Sequence, residues 1–170
     1  MVSCGDADGA VTGNTRRYGA SLEKITKVVD SRPGEIMFGL NMVVSKGKTV
    51  FIGDTSVHEY PSSEQLADIA VSSARVVRLF GFDPKVAFVS HSTFGQPLTS
   101  RTKHIKNAVN ILKEKNVDFK FDGDMQPDVA LNKQYKELYP FSNIVGNANI
   151  LIMPGQHSAA ISYKMMKELG

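Results

Sequence analysis

Three short stretches of this chain gather the residue types that do chemistry. Asp122-Gly123-Asp124-Met125-Gln126-Pro127-Asp128 sets side-chain oxygens at alternate positions, just after the apolar Phe119 and Phe121. Ser90-His91-Ser92-Thr93-Phe94-Gly95 offers hydroxyls, an imidazole and loop amides of the kind that hold a phosphate or polarise a carbonyl. Gly5-Asp6-Ala7-Asp8-Gly9, followed by Thr12-Gly13-Asn14-Thr15-Arg16-Arg17, adds two guanidinium groups able to clamp an anion.

Each stretch also has a plainer reading. The spacing of 122–128 imitates a calcium loop, but an EF-hand needs Gly at its sixth position and Glu at its twelfth. Those positions hold Pro127 and Lys133, so calcium is excluded. A ligand-facing turn and a helix start with carboxylates on the positive end of its dipole both remain. Ser90–Gly95 is not a P-loop, because Gly-x4-Gly-Lys-Ser/Thr is absent, and His91 within it has the chemistry of an acid or base, though a lone loop histidine is more often just solvated. Arg16 and Arg17 serve equally as a solvated helix start. His58, His104 and His157 have no partners at ligand spacing, which argues against zinc. Cys4 lacks an activating neighbour and reads as a small buried residue. Without Gly-x-Gly-x-x-Gly, no nicotinamide cofactor binds here by the Rossmann route.

These stretches need elements to position them. Leu22, Ile25, Val28 and Val29 mark an amphipathic helix stopped at Ser31-Arg32-Pro33-Gly34. Ile36–Val44 and Thr49–Ile52 are apolar runs joined by Ser45-Lys46-Gly47-Lys48, a hairpin, with Asp54-Thr55-Ser56 as the loop after it. Ser62 with Gln65 forms a capping box. Leu66, Ile69, Ala70, Ser73, Val77 and Phe80 then make one helix face, ended by Gly81 and Pro84. Lys85–Ser90 is a buried strand, and Ile105, Ala108, Val109 and Leu112 form the next helix face. A short strand at Phe119–Phe121, a helix over Val129–Tyr139, a strand at Ile150–Met153 and a helix over Ser158–Leu169 complete the order. Strands alternating with helices predict an α/β fold with a largely parallel sheet covered on both faces, plus one antiparallel element.

Composition sets the outer bounds. The 170 residues suffice for one core or two small lobes sharing a cleft. Twenty basic against seventeen acidic residues, a formal charge of +3, are spread along the chain and leave no nucleic-acid footprint. The densest basic run, Lys113–Lys120, alternates with Glu114 and Asp118 and reads as a solvated helix end. A single cysteine allows no internal disulfide and points to a reducing cytoplasm. No apolar run approaches the ~18 residues of a membrane span, and Met1–Asp8 lacks a signal-peptide layout. Half a strand at Met-Val-Ser-Cys and a helix cap at Gly170 suggest a piece cut from a longer chain.

Taken together and in order, the motifs resemble one family along nearly the whole chain. G-D-A-D-G (5–9), F-I-G-D-T (51–55), L-A-D-I-A in the Ser62-capped helix, P-K-V-A-F-V-S-H-S-T-F-G (84–95), D-G-D-M-Q-P-D-V-A-L (122–131), Y-P-F (139–141) and N-A-N-I-L-I-M-P (147–154) are similar to phosphotransacetylase domains. T-R-R-Y (15–18), H-E-Y-P (58–61) and the closing H-S-A-A-I-S-Y-K-M-M-K-E-L-G (157–170) resemble the branch fused to the C-terminus of large bacterial malic enzymes.

The resemblance implies an isocitrate/isopropylmalate dehydrogenase-like fold, a mostly parallel sheet flanked by helices in two lobes around a cleft, here truncated. It implies that residues 1–170 are a fragment of a single phosphotransacetylase-like domain from the C-terminal half of a malic enzyme. The implied parent oxidatively decarboxylates malate to pyruvate and CO2 with NAD(P) and a divalent metal, Mg or Mn, both held upstream. The fragment is then a non-catalytic regulatory and oligomerisation module responsive to acetyl-CoA. The alternative is a phosphate acetyltransferase interconverting acetyl phosphate and acetyl-CoA. Transferases of the family carry a Ser-Arg pair and a nearby Asp at positions falling beyond Gly170, so no catalytic residue is assigned. The cleft residues expected to hold CoA or phosphate are Arg16, Ser90, Ser92, Thr93, Gly95, Asp122, Asp124 and Gln126, with no metal site. Expected partners are a second copy of the chain, in a homodimer and larger assemblies, and acetyl-CoA or an acyl phosphate.

Overall fold

In the computed structural model, which describes residues 1–13 and 15–170, the chain divides into two units, Met1–Glu35 and Ile36–Gly170. Asn14, part of the Gly5–Arg17 polar cluster, lies outside the described residues. The smaller unit holds a 3-10 turn at Val2–Cys4 and helix α1, Tyr18–Thr26. The helix was expected to continue through Val28 and Val29. It stops earlier, where the amides of both valines turn back to the Ile25 carbonyl at 3.0 and 2.8 Å; adjacent β-branched residues extend a helix poorly. Cys4 is exposed, correcting the expectation of a buried thiol, because its short turn buries none of its residues.

The larger unit carries one sheet. Its strands are β1 Leu40–Ser45, β2 Lys48–Gly53, β3 Lys85–Val89, β4 Lys120–Met125 and β5 Ile150–Ile152, in spatial order β1-β2-β5-β3-β4. β1 and β2 form the antiparallel hairpin, with Lys46 and Gly47 at φ 49° and 74°, the backbone that tight hairpin turns require. All other pairings are parallel. Ile36 and Phe38, expected within the first strand, precede it and pack partly buried on the core.

Period-two alternation fills both faces. Phe51, Val86, Phe88, Ile150 and Ile152 face α2, Ser63–Leu79, and α3, Ser100–Glu114. Ile52, Ala87, Val89 and Leu151 face the other way, toward α4, Pro127–Leu131, and α5, Gln156–Leu169. Strands buried on both faces are continuous apolar runs, which is why Val86–Val89 and Ile150–Ile152 lack polar interruptions. The α2 capping box forms as its residues dictate, with Ser62 N to Gln65 Oε1 at 2.8 Å and Gln65 N to Ser62 Oγ at 3.1 Å. The single helix expected over Val129–Tyr139 is instead split. Asn132 adopts an extended backbone and its side-chain oxygen caps the following 3-10 turn, Lys133–Glu137, at 3.0 Å from Gln134 N.

Where two lobes around a cleft were expected, the described residues carry one sheet. All five strands belong to Ile36–Gly170, and the described residues of Met1–Glu35 contribute none. β5 comes last in sequence yet fills the slot between β2 and β3, where both its faces are buried, so it completes the one sheet rather than starting a second.

Candidate functional site

Crevices open at the carboxyl ends of parallel strands whose chains leave toward opposite faces. β3 leaves toward α3 on one face, while β4 and β5 leave toward α4 and α5 on the other. The loops after β3 and β4 are therefore brought together at this edge.

Asp124, only 1% exposed, anchors them. Its carboxylate accepts the Ser92 hydroxyl on Oδ2 and the Gly95 amide on Oδ1, the latter at 2.9 Å. Its carbonyl accepts the Phe94 amide at 2.6 Å, and Ser90 N donates to the Met125 carbonyl at 2.9 Å. Gln126 completes the clasp, its amide on Thr93 Oγ1 at 3.3 Å and its Nε2 on the His91 carbonyl at 2.8 Å. Gly123 is required between the two carboxylates. It sits at φ 152°, and a Cβ there would lie 2.8 Å from Phe88.

Ser90, Ser92, Thr93, Gly95, Asp124 and Gln126 are thus joined, but not across a gap. They are hydrogen-bonded directly to one another, so several donors that the sequence offered to a ligand serve Asp124 instead. Ser92 gives its proton to Asp124, which makes Ser90 the donor in the 3.2 Å contact between the two hydroxyls. Ser92 Oγ is therefore polarised from both sides. The exposed His91 ring and the Thr93 hydroxyl proton stay available to a ligand. Asp122 accepts its neighbour's amide, Gly123 N, at 2.9 Å and, with Asp124, lines a cavity of about 600 Å³. Arg16 belongs to the Met1–Glu35 unit, exposed ahead of α1.

A second constellation was not anticipated. Asp54, at the carboxyl end of β2 and 1% exposed, accepts four amides: Gly39, Ser56 and Val57 on Oδ1 at 2.8, 2.8 and 3.1 Å, and His58 on Oδ2 at 2.8 Å. His58 Nδ1 meets the same Oδ2 at 2.7 Å. A carboxylate oxygen accepts, so Nδ1 is the donor in this contact. His58, considered in the sequence only as a metal ligand, is thus paired with the Asp four residues back, and a carboxylate that takes the amides two to four residues on is an Asx-turn arrangement. The other two histidines are engaged as well. His104 Nε2 lies 2.9 Å from the Pro61 carbonyl and Nδ1 3.0 Å from Ser63 Oγ, and His157 Nε2 lies 3.3 Å from Glu59. Among the described residues no three His, Cys, Asp or Glu side chains are grouped to hold a metal.

A family model described as phosphate acetyl/butaryl transferase matches residues 1–170. The chain is 47% identical over its full length to an NADP-dependent malic enzyme of Rhizobium meliloti (strain 1021), spanning 22% of that protein. It is 34% identical over 96% of its length to a phosphate acetyltransferase of Clostridium acetobutylicum, spanning 52% of it. A phosphotransacetylase crystal structure from Streptococcus pyogenes superposes with TM-score 0.91 at 28% identity, over 99% of this chain and 53% of that one. The chain therefore spans about a fifth of such malic enzymes and about half of such transferases. The matched fold is that of the phosphotransacetylases, which overturns the isocitrate/isopropylmalate dehydrogenase-like assignment.

Proposed function

The chain belongs to the phosphate acetyl/butaryl transferase family, and from that premise we propose that its Ser90–Gly95 and Asp122–Gln126 turns hold an acyl phosphate or the acyl end of acetyl-CoA. The reaction proposed for the longer protein is interconversion of acetyl phosphate and acetyl-CoA. The observation that carries this reading is the match to a phosphotransacetylase along 99% of the chain at TM-score 0.91. In that reaction the CoA thiol loses its proton and attacks the acyl carbon, and the phosphate leaves. In this reading the Thr93 hydroxyl, whose oxygen already accepts the Gln126 amide, donates its proton to an anionic oxygen. Ser92, polarised by Asp124, orients the acyl group.

A second reading has its own support in the 47% identity to a malic enzyme over the full chain. In it, residues 1–170 are part of a phosphotransacetylase-like regulatory and oligomerisation domain of a malic enzyme, with acetyl-CoA as effector. NAD(P) and the divalent metal of such a parent do not fit the residues present. The chain has no Gly-x-Gly-x-x-Gly, and its described residues offer no grouped ligand set, so no step of this domain runs through either.

A coupled assay for CoA-dependent consumption of acetyl phosphate, beside calorimetry with acetyl-CoA and with acetyl phosphate, tests both readings. Turnover supports the transferase. Binding of acetyl-CoA without turnover supports the regulatory domain. Absence of both removes the site.

A further inference from the structure

The Met1–Glu35 unit holds a cavity of its own, about 470 Å³, within the ~300–1,000 Å³ of small-molecule sites. Its walls are largely aliphatic. Val2, Ile25, Val28 and Val29 line it, and the last three remain 42%, 65% and 41% exposed. They belong to the apolar face that the sequence predicts for the first helix. The protein leaves much of that face uncovered, and apolar side chains exposed together around a hollow mark a binding surface.

The polar part of the lining points to what covers it. Ser21 is a wall residue only 8% exposed, and its hydroxyl has no hydrogen-bond partner among the described residues. A buried hydroxyl left unmatched is costly, and native structures seldom keep one without a ligand or water to meet it. Lys24 stands three residues on, on the same face of α1, close enough for both side chains to meet one small group. Arg16 adds a second cation to the lining. Neither cation has an ion-pair partner among the described residues, and no described lining residue is acidic.

The occupant must answer all three features. A bare phosphate would use the cations and leave Ile25 and the valines in water. A neutral alcohol would cover the walls and leave the cations unanswered. No described lining residue is aromatic or carries a carboxamide, so nothing there stacks on or reads a nucleotide base. An aliphatic carboxylate uses every part: its oxygens take the Ser21 hydroxyl and a cation, and its chain covers the apolar wall. We propose that this cavity binds a medium-chain aliphatic carboxylate, its head on Ser21 and Lys24 and its chain along Ile25, Val28 and Val29. The inference goes beyond acyl transfer and does not rest on it, because the site lies wholly within Met1–Glu35.

Calorimetry on the full chain with acetate, hexanoate, octanoate and 1-octanol tests it. Octanoate binds with a Kd below about 1 mM, and hexanoate roughly 15-fold more weakly, as two fewer buried methylenes require. Acetate gives no measurable heat. The alcohol binds about tenfold more weakly than octanoate, and that difference shrinks as salt rises. Lys24→Glu weakens octanoate about tenfold and leaves 1-octanol within about twofold; the side chain is exposed, and an unchanged urea midpoint verifies the fold. Ser21→Ala weakens octanoate about fivefold without lowering the urea midpoint, whereas a hydroxyl that merely supported the fold would lower it. Failure of octanoate to bind, hexanoate or 1-octanol binding as tightly, or indifference of octanoate to Lys24→Glu overturns the site. A dimer that Lys24→Glu dissociates in sedimentation equilibrium puts a second copy over the cavity and overturns it as well.

Discussion

Removing the Asp124 carboxylate should both loosen the β3–β4 clasp and abolish acyl-phosphate binding. Asp124→Ala deletes two hydrogen bonds made to a charged acceptor, from Ser92 Oγ and Gly95 N. Such bonds are worth about 1.5–3 kcal/mol each. The half-buried Gly95 amide recovers part of this by hydration, so the net loss is about 3 kcal/mol. For a chain of this size that lowers the melting temperature by roughly 6–12 °C. Asp124→Asn behaves differently. Its amide oxygen still accepts from Gly95, its NH2 donates to Ser92 Oγ, and the Ser92 proton turns toward Ser90, so the cost is about 1 kcal/mol. Ser92→Ala leaves one buried carboxylate oxygen without its donor and falls between the two. Urea unfolding with an unchanged m-value reads these differences directly. Calorimetry with acetyl phosphate gives the functional half, with binding lost in Asp124→Ala and weakened in Asp124→Asn. An Asp124→Ala midpoint within about 0.5 kcal/mol of the parent would refute the reasoning, as would Asn proving as damaging as Ala.

Asp54→Ala leaves the amides of Gly39, Ser56, Val57 and His58 without their acceptor and should cost about 4 kcal/mol in urea unfolding, whereas His58→Asn, which keeps a donor near Oδ2, costs about 1 kcal/mol. Glu64 is held below the usual carboxylate range by its own backbone N–H and the Ser62 hydroxyl. Its contribution is therefore present above the unfolded value of about 4.3 and disappears as pH falls through the lower folded value. Glu64→Gln should flatten that part of the stability profile measured by urea unfolding between neutral and acid pH, and an identical profile would refute the assignment. On α5, Tyr163 and Met166 pack on the core while Ile161, Met165 and Leu169 remain 58%, 56% and 78% exposed, a stripe at four-residue spacing. Sedimentation equilibrium should show a dimer that Met165→Glu dissociates; a monomeric parent at micromolar concentration removes the homodimer from the proposal.

What the sequence determined by itself was local or strongly patterned. Ser62 and Gln65 lie three residues apart and specify their capping box without help from any other element, and the structure forms it. Lys46-Gly47 between apolar runs placed the hairpin, and uninterrupted apolar residues marked β3 and β5 as strands buried on both faces. Asp54 with the amides two to four residues on was equally local, though the sequence presented Asp54-Thr55-Ser56 only as a loop. The tertiary structure alone decided where β5 goes. Its three residues would suit any doubly covered slot, and their entry between β2 and β3 follows from burial summed over both faces of the finished sheet. That placement sets which loops share the carboxyl edge. Ser92 and Asp124 are 32 residues apart, and each, read locally, was a donor or acceptor awaiting a ligand. Only the parallel register of β3 on β4 turns them into partners, because a side-chain hydrogen bond extends about 3 Å and the chain between them fixes neither end to that precision.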